Sequence, residues 1–126
     1  MDDQKKAIIE NYVNSYNNFD ISGMIKDLSD DIVFENIANG NLNLRTEGIL
    51  AFEEQAIAAK QYFTVRKQTI ESWDNLDSGI TIAISYKATL AIDLPNGLKA
   101  GDSLDMKGES NFEFKNGVIT RITDKS

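Results

Sequence analysis

Two stretches of the chain alternate so regularly in polarity that they constrain the backbone more than anything else in it. In GITIAISYKATLAID, Ile80, Ile82, Ile84, Tyr86, Ala88, Leu90 and Ile92 fall on one side of an extended chain. In DSLDMKGESNFEFK, Leu104, Met106, Gly108, Ser110, Phe112 and Phe114 do the same. A period of two belongs to a β-strand, and segments this long far exceed the usual five or six residues. Strands of such length coil or bend to keep one face covered. Gly108, among larger neighbours, predicts a bulge or bend. A sheet curved in this way, with helices across its concave side, encloses a cone with a pocket at its open end.

The helices come mostly before these strands. From Asp2 to about Asn18 the residues Ile8, Ile9, Tyr12, Val13, Tyr16 and Phe19 recur at spacings of three and four, which predicts an amphipathic helix. Asp20 can cap a shorter helix by accepting from the amides of Ser22 or Gly23. That helix carries Ile21, Met24, Ile25 and Leu28, and SDD at 29–31 ends it. DIVFEN at 31–36 reads as a short strand, and IANGNLNLRTEG as a second strand or a loop. ILAFEEQAIAAKQYF, rich in Ala, Leu, Glu and Gln, predicts a third helix from about Ile49 to Tyr62. Beyond Phe63 the chain is strand and turn: TVRKQTIESW, the two long segments joined by LPNG, a hairpin at KNG (115–117) and a closing VITRITD. The expected architecture is one α+β domain over 1–126, with three N-terminal helices packed on a strongly curved, mostly antiparallel sheet.

Composition narrows the chemistry. The 126 residues include no cysteine and no histidine. Disulfides, thiolate nucleophiles and sulfur-based zinc sites are thereby excluded, along with the commonest general base and metal ligand. Net charge is −7, which repels phosphate backbones and anionic lipid, so neither nucleic acid nor membrane is an expected partner. No apolar run reaches the ~18 residues of a membrane span. MDDQKKAIIENY carries no signal-peptide core, which leads to the expectation of a cytoplasmic protein. Asp93, Asp102 and Asp105 are separated and point to solvent, so no metal and no cofactor are expected.

Four segments carry a resemblance. YVNSYNNFDISGMIKDLSDDIVFEN at 12–36, GILAF at 48–52, FTVRKQTI at 63–70 and NFEFKNGVITRI at 111–122, in this order, resemble the nuclear transport factor 2-like superfamily. The likeness is narrower to its SnoaL-like and ketosteroid-isomerase-like members. That superfamily holds isomerases, cyclases, dehydratases, hydrolases and proteins with no chemistry. The resemblance implies that Tyr12 matches a helix-one tyrosine that donates to a developing oxyanion. It also implies that Asn36 stands where the isomerases have their catalytic base, and Ser110 where they have a second acid. An amide cannot take up a proton at neutral pH, so that route to catalysis is altered in two of three roles.

The ligand-facing residues expected on these grounds are Tyr12, Tyr16, Phe34, Asn36, Arg66, Gln68, Tyr86, Met106, Ser110 and Phe112. Tyr12 and Tyr16 lie one turn apart on the buried helix face, either as core or with hydroxyls directed into a cavity. Asn36 shares a face with Ile32 and Phe34, either bonded to the ANG loop or lining the pocket. Glu35 takes the opposite face, solvated or paired with a lysine or arginine. Arg66 and Gln68 face the cavity if the resemblance holds, and Arg66 could then clamp a carboxylate or enolate. Val65 and Trp73 take the other face, with Trp73 at a subunit contact or pocket mouth. Thr81, Ala83, Ser85, Lys87, Thr89 and Ala91 form a weakly charged outer face, through which the resemblance implies a homodimer.

Two functions from different classes follow. One is a binding protein that holds a small apolar molecule without a catalytic base. The other is an isomerase-, cyclase- or hydrolase-like enzyme acting on a hydrophobic carbonyl compound, with Tyr12 or Tyr16 as acid or base and Arg66 as electrostatic stabiliser. A third reading is a dimeric association module without ligand. An ionisable side chain inside the cavity separates the first from the second.

Overall fold

In a computed structural model, which describes residues 2–77 and 79–126, the chain runs α1 (Asp3–Asn17), α2 (Ile21–Ile25), β1 (Leu28–Ala38), β2 (Asn41–Glu47) and α3 (Ile49–Lys60). It continues through β3 (Phe63–Leu76), β4 (Gly79–Leu90), β5 (Ser103–Lys115) and β6 (Val118–Lys125). The strands form one curved, unclosed sheet in the order β2-β1-β6-β5-β4-β3. All neighbours are antiparallel except β1 and β6, which run parallel. The three helices cover the concave side, which completes the expected α+β cone.

Local chemistry accounts for most boundaries. Asp2 caps α1 by accepting from the Gln4 amide at 2.8 Å, and Asp20 caps α2 by accepting from Gly23 at 3.0 Å. Between them the chain closes α1 with a Schellman-type turn. The Asp20 amide donates to the Ser15 carbonyl and the Phe19 amide to the Tyr16 carbonyl. Phe19 takes the left-handed conformation (φ 57°) that glycine usually supplies there. Asn116 and Gly117, both at positive φ, form the expected β5–β6 hairpin. Asn39 and Gly40 do the same between β1 and β2, so IANGNLNLRTEG holds a hairpin and a strand.

Several expectations are corrected. Leu28 belongs to β1, and SDD at 29–31 lies inside that strand instead of ending a helix. Parallel pairing with β6 extends the strand back through these polar residues. β4 stops at Leu90, which leaves Ile92 exposed in the loop that carries LPNG. Gly108 makes no bulge, for its register across β4 is unbroken. A Cβ there would lie 2.6 Å from the Lys125 carbonyl oxygen, so the glycine admits the close passage of the C-terminal backbone. The register shifts fall instead between Leu28 and Val33, Asn36 and Ile37, Phe63 and Val65, Ile70 and Ser72, and Glu113 and Phe114. The one after Ile70 turns Trp73 inward, where it pairs across from Ile82 and packs on the core. The Lys6 ammonium lies 5.3 Å from its ring.

The core sits in the narrow part of the cone. Ile9, Ile32, Ile82, Phe112, Ile119 and Ile122 are wholly buried there between α1 and the sheet. On the outer face β4 presents Thr81, Ala83, Ser85 and Thr89, as expected. Its neighbours bring more charge than the sequence reading allowed, because Lys67 and Asp105 flank Lys87, and Glu109 lies across from Ala83.

Candidate functional site

The wide end of the cone is not filled. A cavity of about 260 Å³ lies between α1, α3 and the concave face of the sheet. Its apolar walls are Met24, Phe34, Leu44 and Phe52, and its polar groups are Tyr12, Tyr16, Asn36, Arg66, Gln68 and Asp124, with Gln55 from α3. A smaller cavity of about 190 Å³ adjoins it. The two share Tyr16, Asn36, Gln68 and Asp124, and the second is bounded on its far side by Tyr86 and Met106.

Of the ten expected ligand-facing residues, Tyr12, Tyr16, Phe34, Asn36, Arg66 and Gln68 border the main cavity. Four do not. Phe112 is wholly buried in the core, with its ring edge-on to Tyr12 at 5.7 Å between centroids. Met106 is an exposed residue on the rim of the smaller cavity, because the curl of β5 lifts its outer half clear of the helices. Tyr86 reaches the main site only through its hydroxyl, which accepts from the Tyr16 hydroxyl at 2.9 Å. Ser110 lies behind the wall and donates to Asp124 Oδ1 at 2.6 Å.

Asp124 is the residue that sequence reasoning missed. It stands on β6 directly across from Ser110 and alongside Asn36 of β1. Burial among protein atoms pushes its carboxyl up from the usual 3.8 to about 6, with the Ser110 hydroxyl pulling the other way. The signal was present in the sequence. Ile122 must point inward, and Asp124 follows it by two residues on the same face.

The phenols are held protonated. Burial, with the Asp124 carboxylate next in effect, raises the Tyr12 pKa far above its ordinary value. Burial and then the neighbouring Tyr86 raise that of Tyr16. Tyr12 makes no side-chain hydrogen bond to the described residues, so its hydroxyl is free to donate into the cavity. Asn36 donates to Asn43 Oδ1 at 2.8 Å across the β1–β2 hairpin, which orients the amide at the rim. The backbone of Gln68 exchanges two hydrogen bonds with the Asn17 side chain, at 2.7 and 3.0 Å, and so ties β3 to the end of α1.

Arg66 is 2% exposed. Its Nε donates to the Tyr16 carbonyl at 2.8 Å, and its guanidinium lies 3.7 Å from the Tyr16 ring and 4.5 Å from that of Phe19. Glu35, on the opposite face from the cavity, is paired with Arg45 and Arg121, as one of its two expectations held. Among the described residues no three His, Cys, Asp or Glu side chains converge as metal ligands would.

The fold is that of the SnoaL-like and ketosteroid-isomerase-like proteins of the nuclear transport factor 2-like superfamily. A candidate polyketide cyclase from Xanthomonas campestris pv. campestris superposes with a TM-score of 0.83 at 16% identity, covering 98% of this chain and 90% of its own. A candidate SnoaL-like polyketide cyclase from Shewanella putrefaciens gives 0.75 at 16%, with 99% and 90% covered. A protein from Catenulispora acidiphila with a ketosteroid-isomerase-like fold, solved in complex with trimethylamine, gives 0.74 at 10%, with 93% and 82% covered. No protein-family profile and no curated protein sequence matches the chain. At these identities the likeness is one of fold. Among the described residues no helix is long and apolar enough to cross a membrane.

Proposed function

We propose that the protein is an enzyme that binds a small, largely apolar carbonyl compound in the cone and moves a proton on it. The observation that carries this reading is the Asp124 carboxylate in the cavity wall, with a pKa pushed up to about 6. A base serves best when its pKa lies near the working pH, so that it is ionised yet still basic. Asp124 removes a proton from the carbon next to the substrate carbonyl. The electron pair left behind passes to the carbonyl oxygen, where the Tyr12 hydroxyl donates to the developing enolate. Return of the proton from Asp124 to a second position gives an isomer, and attack of the enolate on a carbonyl of the same molecule gives a ring. The resemblance to candidate polyketide cyclases supports this class of reaction by analogy of fold.

The test is exchange of α-protons with solvent deuterium, followed by NMR on 2-tetralone. Exchange faster than in buffer is expected, and Asp124→Asn should lower the enzymatic part by about 10²–10⁴-fold. Exchange that survives this substitution would remove Asp124 from the role.

A non-catalytic binding role is favoured by Asn36, since an amide stands where the isomerases keep their base. A cavity that shifts in melting temperature with 2-tetralone but never exchanges its protons would decide for that reading. A homodimer through the outer face of the sheet belongs to the same proposal, supported by the small residues Ala83 and Ser85 at its centre. Its cytoplasmic setting is proposed from the acidic, cysteine-free composition.

A further inference from the structure

We infer that the cavity selects an organic anion, a carboxylate on a small apolar body, and that Arg66 is the residue that recognises it. The inference rests on the cavity being the ligand site, as proposed above, but not on any chemistry at Asp124.

Arg66 is an almost fully buried cation with most of its donors unspent. A guanidinium carries five N–H groups, and among the described residues only Nε finds a partner, the Tyr16 carbonyl. Nη2 is buried and has no hydrogen-bond partner among them. Among the described residues no carboxylate comes within ion-pair distance of Arg66; the ion pairs of the chain lie elsewhere, around Glu35 and Asp93. A buried charge without a counter-ion is costly, and interiors keep one only when something compensates it. Here the compensation from the protein is partial. The Tyr16 and Phe19 rings both lie close to the guanidinium, and Arg66 borders the cavity, where a ligand can complete the compensation.

The backbone turn at the end of α1 places the Phe19 ring beside Arg66. Phe19 occupies the left-handed position at the end of α1, where a bulky residue is rarely found. Strain of this kind persists where the surroundings hold it, and it gathers at functional sites. A planar fork with two free N–H groups matches a carboxylate better than a lone carbonyl oxygen. The remaining walls, Met24, Phe34, Leu44 and Phe52, suit one or two hydrocarbon rings. At about 260 Å³ the space lies below the range of about 300–1,000 Å³ typical of drug-sized ligands, which disfavours a tetracycle.

The experiment is calorimetric titration of the full chain at pH 7.5 with 2-naphthoate and with 2-naphthamide, which share shape but not charge. The acid should bind at least about tenfold tighter, as a charged hydrogen bond requires. Arg66→Met should abolish that preference while leaving the amide within about twofold, and Arg66→Lys should retain part of it. Should Arg66→Met not fold, the comparison on the unmodified chain decides alone. Equal binding of acid and amide overturns the inference, as does a preference that survives in Arg66→Met. Asp124→Asn separates the two proposals: it should stop proton exchange and keep the preference for the acid. Exchange that depends on Asp124, together with equal binding of both probes, leaves the proposed function standing and the anion inference refuted.

Discussion

Asp124 and Glu35 are two carboxylates on adjacent strands with opposite surroundings. Asp124 faces the cavity with one neutral hydroxyl for company. Because its folded-state pKa lies above the unfolded one, its contribution to stability is fully present below pH 3.8, declines as the pH rises towards 6, and stays lost above. The rise from 3.8 to about 6 corresponds to roughly 3 kcal/mol. Asp124→Asn should therefore be more stable than the unmodified chain at pH 7.5, by up to roughly this amount. The two should converge near pH 3.5, which urea denaturation across that range checks. A variant that loses both proton exchange and this pH dependence while gaining stability shows the usual conflict between site and fold. Glu35 behaves in the reverse sense. Burial alone would raise its pKa, but hydrogen bonds from Arg121 and Arg45 outweigh it and hold the carboxyl below its ordinary value. Its contribution is present above the unfolded pKa and lost as the pH falls through the folded one. Glu35→Gln should lower the melting temperature at pH 7, and the deficit should vanish in acid.

At the scale of elements, the bulges decide which residues meet. Counting back from the Asn116–Gly117 turn without interruption would set Thr123 across from Ser110. The register shift between Glu113 and Phe114 moves the pairing by one, so that Ser110 meets Asp124. Ile119 and Ile122, both wholly buried and three residues apart, record that shift. A strict alternation would have sent one of them to solvent. Deletion of Thr120, the extra residue of the bulge, should close it while keeping Ser110 across from Asp124 and both isoleucines inward, so the chain should still fold, as circular dichroism would show. Gly108 offers a milder test. Alanine there must push against the Lys125 carbonyl, and a loss of about 1–3 kcal/mol in denaturant unfolding is expected. If Gly108→Ala is neutral, the C-terminal backbone does not run as described.

For the molecule as a whole, the cavity exists because the sheet curves more than the helices can fill. α1 seals the narrow end with Ile9, Tyr12 and Val13, while α3 reaches the wide end with Ala56 and Ala59, which are too short to close it. Replacing Ala59 with Phe should fill the space and abolish the binding of 2-naphthoate with little loss of melting temperature. The association proposal lives at this scale too. Ala83→Glu, set in the middle of the outer face, should convert a dimer to a monomer in sedimentation velocity. A chain that sediments as a monomer before the substitution would end the homodimer reading.

The cone was legible in the amino-acid sequence. Period-two alternation in β4 and β5, helical spacing in α1 and the Asn-Gly turns are local patterns, and each is enforced by backbone geometry within a few residues. Composition determined too that neither histidine nor cysteine chemistry takes place here. Which polar groups share the cavity was settled by packing, since it depends on single-residue register shifts within the sheet, such as the one between Glu113 and Phe114. Packing brought Asp124 to the wall, moved Ser110 behind it and Met106 to the rim, and left Arg66 buried with donors to spare. A one-residue slip costs little in local preference yet reverses every side chain beyond it, so packing of the whole sheet has to choose the register.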